Sequence, residues 1–493
     1  MAMTTTQTPP QDTAPTRRTG LRSWLGLLVV LGPVLLVSMD GSILFLAMPS
    51  LSQALAPSAG QALWILDGYG FAVGSLLIAF GNIGDRYGRL RLLMLGTAVF
   101  GLASAAAALA PTPELLIVFR VLMGVAGATL LPSALAVLSE LFPDTRTRAR
   151  AIGIFAATFA AGFAVGPVAG GLLLERFWWG SVFLVNLPVV ALFLVVAPVL
   201  LGEVRAAGTG RVDVPSVAAS AAGLLSTIYG LKHLAAEGFA VLPVASMAVG
   251  VALLGWFASR QRVLDEPLID FSLFRDRVFT VAIITGLLPL AAWSAAAYLT
   301  GVYLQSVLDI GVLRAALLAL PGAAVLTVTS VVVPAVVERL GKRRVLITGH
   351  FAVAAGLLAL LATTVTGGIG WYIASTAVAG VGYGISFAVV ADTAVGAVPA
   401  ERAGAAGAIA ETSNEIGNAL GIAVLGSLAA LVFRLQGPGL APTLDETLKA
   451  GADAAATADA KAAFLTGLHL VAFTASALHL ALGAAALRWL PKK

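Results

Sequence analysis

GNIGDRYGRLR, residues 81–91, separates two long apolar segments of the chain. Its glycines permit a tight turn and a close approach between helices, and Asp85 can stabilise a helix N-terminus and accept hydrogen bonds from arginines. A second string of this kind, ERLGKRR at residues 338–344, follows another apolar segment. The two strings predict an internal repeat, with two parallel halves of six spans and two extra spans between them.

The composition indicates a protein embedded in lipid. Of the 493 residues, 59% are hydrophobic and 11% are charged, and the mean hydropathy is +0.95. Soluble domains carry about 25% charged residues, so this chain has too few charges to cover a soluble surface of its size. The absence of cysteine excludes disulfides, thiolate metal sites and cysteine nucleophiles. The scattered histidines form no cluster with metal-ligand spacing, so neither a metal nor another cofactor is expected; they are His233, His350, His469 and His479.

We predict fourteen membrane spans, since each needs about 20 mostly apolar residues. The first span follows a polar tail, contains Asp40 and lacks a cleavage site of small residues, so we interpret it as a span and not as a signal peptide. The fold class is therefore an all-α membrane protein. The predicted spans are 25–47, 61–81, 91–109, 115–137, 150–172, 181–201, 215–233, 239–258, 278–300, 312–336, 345–365, 370–396, 404–432 and 465–488.

The distribution of Lys and Arg predicts the orientation. With the N-terminus inside, about 23 basic residues fall in inner loops and tails and about six in outer loops. An even number of spans then places both basic tails in the cytoplasm. The net charge of +5 follows from this bias, and no basic patch alternates with aromatic residues, so no nucleic-acid partner is expected.

The spans group into four predicted regions. The outer linker 433–464 is long enough for a small ordered lid or hairpin, and the charged inner linker 259–277 is expected to include a short surface helix. The regions are a disordered cytoplasmic tail at 1–23, an N-terminal six-helix bundle at 24–202, two extra helices at 203–262, and a C-terminal six-helix bundle at 263–490.

Spans 4 and 5 contain two unusual strings. Arg120-Val-Leu-Met-Gly124 places an arginine inside span 4, where a charge is costly and marks a functional candidate by default, with a structural ion pair as the alternative. GFAVGPVAGG at residues 162–171 places small residues four apart in span 5, which lets helices pack closely. Its proline, Pro167, interrupts the backbone hydrogen bonds of the helix.

These strings resemble motifs of the major facilitator superfamily. Residues 81–91 are similar to the signature between spans 2 and 3, which in that family latches the two halves together in one conformation. The string at Arg120 resembles a span-4 motif linked to proton coupling, although Met123 stands where related exporters often have Gln. The span-5 string resembles the motif of exporters that work as antiporters. The residues implied are Gly81, Asp85, Arg86, Gly88 and Arg89 for the latch, and Gly162, Gly166, Pro167, Gly170 and Gly171 for the antiporter motif.

A closer resemblance points to the fourteen-helix drug:proton antiporter branch and covers nearly the whole chain. It rests on WILDGY at 64–69, WGSVFLVNLP at 179–188 and ETSNEIG at 411–417. It implies two six-helix bundles with two extra central helices, a proton gradient as the energy source, and the export of quaternary ammonium compounds, methyl viologen and dyes. It also implies a multi-pass protein of the bacterial inner membrane.

Five acids lie inside or near the ends of spans, where a lone carboxylate is costly. With a helical rise of about 1.5 Å per residue, Asp40 and Asp67 are expected at similar depth in the outer half of the membrane. Glu411 and Glu415 are expected on the same face of their helix. Asp392 lies near the inner end of span 12, where an interfacial position is the alternative. A carboxylate can hold either a cation or a proton, so proton and cation compete, and one site loaded alternately is enough for antiport.

The leading hypothesis is a proton-coupled antiporter that exports lipophilic organic cations and works as a monomer. The alternative is a proton-coupled exporter of another solute, such as an antibiotic or an anionic metabolite, since fold does not fix substrate. An enzyme is not expected, because the sequence has no catalytic constellation, and an ATP-driven pump is disfavoured, because it has no P-loop. Aromatic rings can hold cations, with packing as the alternative; the candidates are Trp64, Tyr69, Trp293, Tyr298, Tyr383 and Phe387.

Overall fold

The computed structural model describes residues 20–203, 213–265, 267–398, 403–451 and 453–489. Within these ranges the regular structure is helical, apart from one isolated bridge between Thr364 and Gly367. The tail predicted to be disordered lies outside the described residues up to residue 19, and the first helix begins at Leu21.

The helices of the first half of the chain lie in the region predicted as the N-terminal bundle, and a helix pair follows in the region predicted as the two extra helices; this division stays a prediction. The bundle helices are α1 Leu21–Leu55, α2 Ala59–Tyr87, α3 Arg89–Ala108, α4 Pro113–Leu141, α5 Thr145–Arg176, α6 Ser181–Leu184 and α7 Asn186–Leu200. The extra pair is α8 Val214–Glu237 and α9 Val241–Gln261.

The second half forms the C-terminal bundle, which a short 3-10 helix at Phe271–Arg275 precedes. This turn is the surface helix expected in the inner linker. The bundle helices are α10 Arg277–Val302, α11 Val312–Leu340, α12 Lys342–Ala359, α13 Ile369–Gly396, α14 Ala403–Leu420, α15 Ser427–Gln436, α16 Leu444–Lys449 and α17 Ala454–Trp489, with π turns at Tyr303–Val307 and Gly421–Gly426.

Thirteen helices in the described residues are long and apolar enough to cross a membrane. Every predicted span overlaps a helix, and the second span lies on α2, which is not among those thirteen. The predicted all-α membrane fold is confirmed. The count of fourteen spans and the cytoplasmic position of both termini stay predictions.

One predicted boundary was wrong, and two predicted spans contain an irregular turn. The sixth span is split into α6 and α7, because Ser104 donates to the carbonyl of Phe183 (2.8 Å) and Pro188 has no amide for the helical ladder. The thirteenth span contains a π turn, just before which Ser294 Oγ donates a hydrogen bond to the carbonyl of Asn418 (2.6 Å). The last helix begins at Ala454, well before residue 465, so the outer linker is shorter than predicted.

Three of the helices around the candidate site begin at a residue whose side chain caps them. Ser58 Oγ accepts from the amide of Gln61 at 3.3 Å, and the Gln61 side chain accepts from the amide of Ser58 at 2.9 Å, which forms a capping box on α2. Thr112 caps α4 directly before Pro113, and Asp276 caps α10. These caps fix the starts of three helices that carry or face the candidate site.

The two inner loops have the same backbone turn. Gly88 joins α2 to α3 with a φ of 116°, and Gly341 joins α11 to α12 with a φ of 82°. Both values lie in the region that side chains other than glycine rarely adopt. The matching turns support the internal repeat predicted from residues 81–91 and 338–344.

The two bundles have separate cores that meet at α10. One core is built from helices of the first half together with Ile422 of the second, and the other from α10, α13 and α17 with their neighbours. Trp293 and Tyr298 of α10 pack against both cores. The largest contacts between the two halves, however, are those of α5 with α11 and of α2 with α14, and α10 adds the aromatic contact at the centre.

The extra helix pair is joined by glycines in the membrane and by charges at its inner end. A Cβ at Gly230 would lie 2.7 Å from Cβ of Met247, so α8 and α9 are in close contact. Arg260 donates to both carboxylate oxygens of Asp213, at 2.6 and 2.8 Å. This hydrogen-bonded ion pair lowers the pKa of Asp213 to about 2.

Candidate functional site

Asp40 of α1 and Arg120 of α4 form an ion pair inside the N-terminal bundle. Arg120 Nη1 donates to Asp40 Oδ2, and each side chain is only 1% exposed. Within the described residues, Asp40 Oδ1 has no hydrogen-bond partner. The structure therefore brings together two residues that the sequence singled out separately, and one carboxylate oxygen remains available.

Arg120 also holds α2. Its Nε donates to the carbonyl of Ile65 at 3.0 Å, and Nη2 approaches the carbonyl of Leu66 at 3.5 Å. The guanidinium lies 4.8 Å from the centre of the Tyr69 ring, in cation–π geometry. A single arginine thus joins α1, α2 and α4 at one level of the bundle.

Glycines of α4 make this arrangement possible. A side chain at Gly124 would overlap the backbone carbonyl of Tyr69, and a Cβ at Gly127 would lie 3.0 Å from the Tyr69 hydroxyl. The small residue in Arg-x-x-x-Gly therefore lets α2 approach α4 until its carbonyls come within reach of Arg120.

The glycines of the span-5 string allow α5 to pack directly against α1. A Cβ at Gly162 or Gly166 would overlap the hydroxyl of Ser38 or Ser42, and a Cβ at Gly170 would lie 2.7 Å from Ile43 Cγ1. Ser38 and Ser42 stand two residues before and after Asp40 on α1. Close packing of this face on α5 fixes the rotation of α1 and turns Asp40 toward Arg120.

Asp67 lies on α2, two residues from Tyr69, and is 1% exposed. It is therefore buried in the same bundle as Asp40 and Arg120. Asp40 and Asp67 were predicted to lie at a similar depth in the membrane. The contacts of Arg120 are consistent with this, because Arg120 contacts both Asp40 and the α2 carbonyls next to Asp67.

A central cavity lies between the two bundles. Its volume is about 970 Å³ when the solvent open to it is included. Among the described residues that line it, none is charged; they are apolar, aromatic or hydroxyl-bearing. They include Ser42, Phe45, Phe163, Pro167, Trp293, Thr300, Tyr372, Ser375, Thr376 and Tyr383.

An aromatic cluster closes one wall of the central cavity. The ring of Trp293 lies edge-on to Phe163 with 4.7 Å between centroids, and edge-on to Phe45 at 6.1 Å. Phe45 and Phe163 belong to the N-terminal bundle, and Trp293 belongs to the C-terminal bundle. The sequence did not single out Phe163, because one phenylalanine in an apolar span gives no signal.

Two contacts join the halves at helix ends that the predicted orientation places outside. Lys449 Nζ of α16 donates to the carbonyl of Ser52 at the outer end of α1 (2.6 Å). A Cβ at Gly171 would lie 3.1 Å from Leu313 Cα, at the outer ends of α5 and α11.

The inner loop between α2 and α3 contains a contact that the sequence did not indicate. Glu203, just after α7, accepts hydrogen bonds from the amides of Leu90 (3.0 Å) and Arg91 (3.2 Å) at the N-terminus of α3. A Cβ at Gly88 would lie 2.6 Å from the Glu203 carboxyl carbon. The one signal was an isolated acid at the end of the sixth span.

The candidate aromatics divide between two places. Trp293 and Tyr383 line the central cavity, whereas Tyr69 packs under Arg120 and Trp64 packs edge-on against another ring of α2. Tyr298 packs against both cores. These positions do not test contact with a substrate, so that role stays a prediction.

Several candidate side chains lie outside the part of the chain that the structure describes. Their backbones belong to α2, α13 and α14, and the roles assigned to them stay predictions. They are Asp85, Asp392, Glu411, Glu415 and Phe387.

The family model described as Major Facilitator Superfamily matches residues 33–422. The chain is 37% identical to the "Multidrug efflux pump LfrA" of Mycolicibacterium smegmatis, over 93% of this chain and 92% of that protein. It is 34% identical to the "Methyl viologen resistance protein SmvA" of Salmonella typhimurium, over 84% and 83% of the two chains. It is 31% identical to the "Tetracenomycin C resistance and export protein" of Streptomyces glaucescens, over 87% and 80%.

Solved structures show the same fold at low identity. A bacterial homologue of the human lysosomal transporter Spinster, in an inward-facing and unoccupied conformation, matches with a TM-score of 0.66 at 16% identity, over 96% of this chain and 98% of that one. The nucleoside transporter NupG, as its D323A mutant, matches with a TM-score of 0.62 at 14% identity, over 95% and 100%.

Proposed function

The chain belongs to the major facilitator superfamily, and from this premise we propose that it exports lipophilic organic cations in exchange for protons. It is a multi-pass transporter of the bacterial inner membrane and not an enzyme, and its relatives include multidrug efflux pumps. The cationic substrates and the proton coupling are the proposed part.

The ion pair between Asp40 and Arg120 is the observation that supports proton coupling. Removing one partner of a buried ion pair is strongly destabilising, because the other charge is left without compensation. A proton on Asp40 neutralises the carboxylate and weakens its hold on Arg120, while Arg120 keeps its bonds to the carbonyls of Ile65 and Leu66. Proton binding thus changes how α1 is held against α2 and α4.

That change can be transmitted to the central cavity through α1. Asp40 lies two residues from Ser42, which lines the cavity and packs on the glycine face of α5. Helix α5 in turn contributes Phe163 and Pro167 to the cavity. Loading and release of a proton at Asp40 therefore act on the helices that border the bound substrate.

The lining of the central cavity supports a lipophilic substrate. Its apolar and aromatic walls favour apolar groups, and the face of Trp293 can attract a positive charge without a full negative partner. A hydrophilic ion would lose its hydration in this cavity with no charged side chain among the described lining residues to replace it. A cation that carries large apolar groups avoids that loss.

The proposal is tested by proton release from the purified protein in detergent, followed with a pH dye. Lipophilic cations, dications and anions are added in turn. The wild-type protein is expected to release protons with cations and not with anions, and Asp40→Asn and the Asp40/Glu415 double neutralisation are expected to abolish this release. Asp309→Asn is the matched control, because Asp309 is 77% exposed and pairs with Lys461 outside the cavity.

A second candidate is the export of antibiotics. Relatives bear the names tetracenomycin C resistance and export protein and puromycin resistance protein, and the central cavity has hydroxyl groups suited to polar aromatic compounds, at Thr300, Ser375 and Thr376. Proton release with neutral or anionic antibiotics and with no cation would favour this candidate and reject the cation exporter.

A further inference from the structure

A second, smaller cavity lies next to the central cavity, between α10, α13 and α14. Counted as room for the centre of a water molecule, it measures about 10 Å³, against about 130 Å³ for the central cavity on the same measure; this is close to the space that one ordered water molecule requires. We call it the small cavity; it is lined by Gly286, Pro289, Leu290, Tyr383, Ser386 and Asn414.

Tyr383 lines both cavities. Its side chain is 5% exposed, and its hydroxyl has no hydrogen-bond partner within the described residues. A buried hydroxyl without a partner costs about 1–3 kcal/mol. A water molecule in the small cavity would provide that partner.

The small cavity offers further polar groups to such a water. Ser386 has a hydroxyl, and Asn414 has both donors and an acceptor in its amide. Pro289 has no amide hydrogen, so the carbonyl of Thr285 lacks its usual helical donor. Gly286 leaves room for Asn414, since a Cβ there would lie 2.9 Å from Asn414 Oδ1. A buried water needs two to four polar partners, and these groups supply them.

We propose that one water molecule, bound by Tyr383, Ser386 and Asn414, passes the coupling proton between the central cavity and α14. This inference rests on the proton coupling proposed above. The Tyr383 oxygen accepts a proton from a protonated water in the central cavity and gives its own proton to the bound water, so the phenol ends neutral. The bound water then releases one proton toward α14, and the reverse order returns it.

The sequence places an acceptor on α14. Glu411 precedes Asn414 by three positions, the spacing at which helical residues share a face. Ser386 and Asn414 orient the water and are positioning residues. Tyr383 is the group that moves the proton.

The test uses the full-length protein in proteoliposomes with tetraphenylphosphonium as the transported cation. Two rates are measured: accumulation driven by a pH gradient, and exchange of labelled for unlabelled cation without a gradient. Exchange needs no net proton movement, so the ratio of driven accumulation to exchange reports coupling. A role limited to packing or substrate contact would lower both rates together.

Tyr383→Phe and Ser386→Ala are compared with Tyr372→Phe, the matched control. Tyr372 is 4% exposed and lines the central cavity but not the small cavity. Tyr383→Phe is expected to lower the ratio by roughly tenfold or more, since it removes a positioned proton-transfer group. Ser386→Ala should lower the ratio less, and Tyr372→Phe should leave it unchanged.

An unchanged ratio in both Tyr383→Phe and Ser386→Ala overturns the water site, as does a parallel loss of both rates. If Tyr383→Phe does not fold, the ratio measured for Ser386→Ala alone decides whether the water site exists, because this variant removes only the Ser386 hydroxyl and keeps the Tyr383 side chain. Exchange without any gradient-driven accumulation by the wild-type protein overturns the proton coupling itself, and the water site with it.

Discussion

Ser42 of α1 lies directly against Gly166 of α5, with no space for even a methyl group between them. A Cβ at Gly166 would overlap Ser42 Oγ and lie 2.8 Å from the carbonyl of Met39. Ser42 Oγ also approaches the carbonyl of Gly162 at 3.5 Å. The backbone of α1 next to Asp40 is thus positioned by the glycine face of α5.

Gly166→Ala is expected to lower stability by about 1–3 kcal/mol, the usual cost of overpacking a tight contact. It should also reduce export, because α1 must shift away from α5 and carries Asp40 with it. Thermal unfolding in detergent and drug export from cells measure the two effects. Gly153→Ala on the same helix is the control: a Cβ there meets nothing within 4 Å, so stability should hold or rise. Equal behaviour of the two variants would contradict the tight contact.

The ion pair between Asp40 and Arg120 predicts a non-additive double mutant. Arg120→Met leaves the Asp40 carboxylate buried without its partner and should cost about 3–5 kcal/mol. Adding Asp40→Asn removes that uncompensated charge, so the double variant should be more stable than Arg120→Met alone. Thermal unfolding of the wild type, the two single variants and the double variant completes the cycle. A double variant no more stable than Arg120→Met would show that the pair does not couple.

Trp293 links the two bundles and borders the central cavity, so its ring is predicted to contribute to cation binding. Trp293→Leu keeps an apolar side chain but removes the π face, which is worth about 0.5–2 kcal/mol toward a cation. Binding of a lipophilic cation should weaken by that amount, while binding of a neutral analogue of the same shape should change less. Equal weakening for both ligands would assign Trp293 to packing alone.

The sequence predicted the fold well because its signals were local. Apolar length is readable within each segment, and it predicted the helices. The bias of Lys and Arg and the glycine turns at Gly88 and Gly341 are local signals too, but the orientation and the repeat that they indicate stay predictions. The sequence did not predict interruptions within a span, which arise where a distant helix interferes, as at Phe183, whose carbonyl accepts a hydrogen bond from Ser104 of α3.

The site was predicted only as separate residues. Asp40 and Arg120 were each singled out as costly charges in spans, but their pairing depends on how the glycines of α4 and α5 set helix distances. Phe163 gave no signal and Glu203 gave only that of an isolated acid, because their roles arise from neighbours far away in sequence. The small cavity at Tyr383 could not be foreseen, since it depends on packing among three helices.

Gly88→Ala is expected to impair both folding and transport. Its φ of 116° strains any residue with a side chain, and the added methyl would lie 2.6 Å from the Glu203 carboxyl group that caps α3. Glu203→Ala should relieve the clash but not the strain, so the double variant recovers only in part. Gly81→Ala is the control in the same string, because a Cβ there meets nothing within 4 Å. Full activity of Gly88→Ala would refute the turn as a constraint.

The ion pair at the inner end of the extra helices predicts a pH-dependent stability. Arg260 lowers the pKa of Asp213 to about 2, below the value of about 3.9 for an unfolded chain. The stabilisation is therefore complete above about pH 4 and is lost as the pH falls toward 2. Because Arg260 is 36% exposed, we expect less than about 1 kcal/mol.

Asp213→Asn should consequently lower the melting temperature of the detergent-solubilised protein at pH 7, and the difference from wild type should shrink as the pH falls below 4. Arg260→Gln should have a similar effect, and the double variant should be no worse than either single variant, because all three lose the same contact. Asp309→Asn, at the outer surface, should not show this convergence. A gap between wild type and Asp213→Asn that stays constant from pH 7 to pH 2 would mean that the charge of Asp213 does not hold α8 to α9.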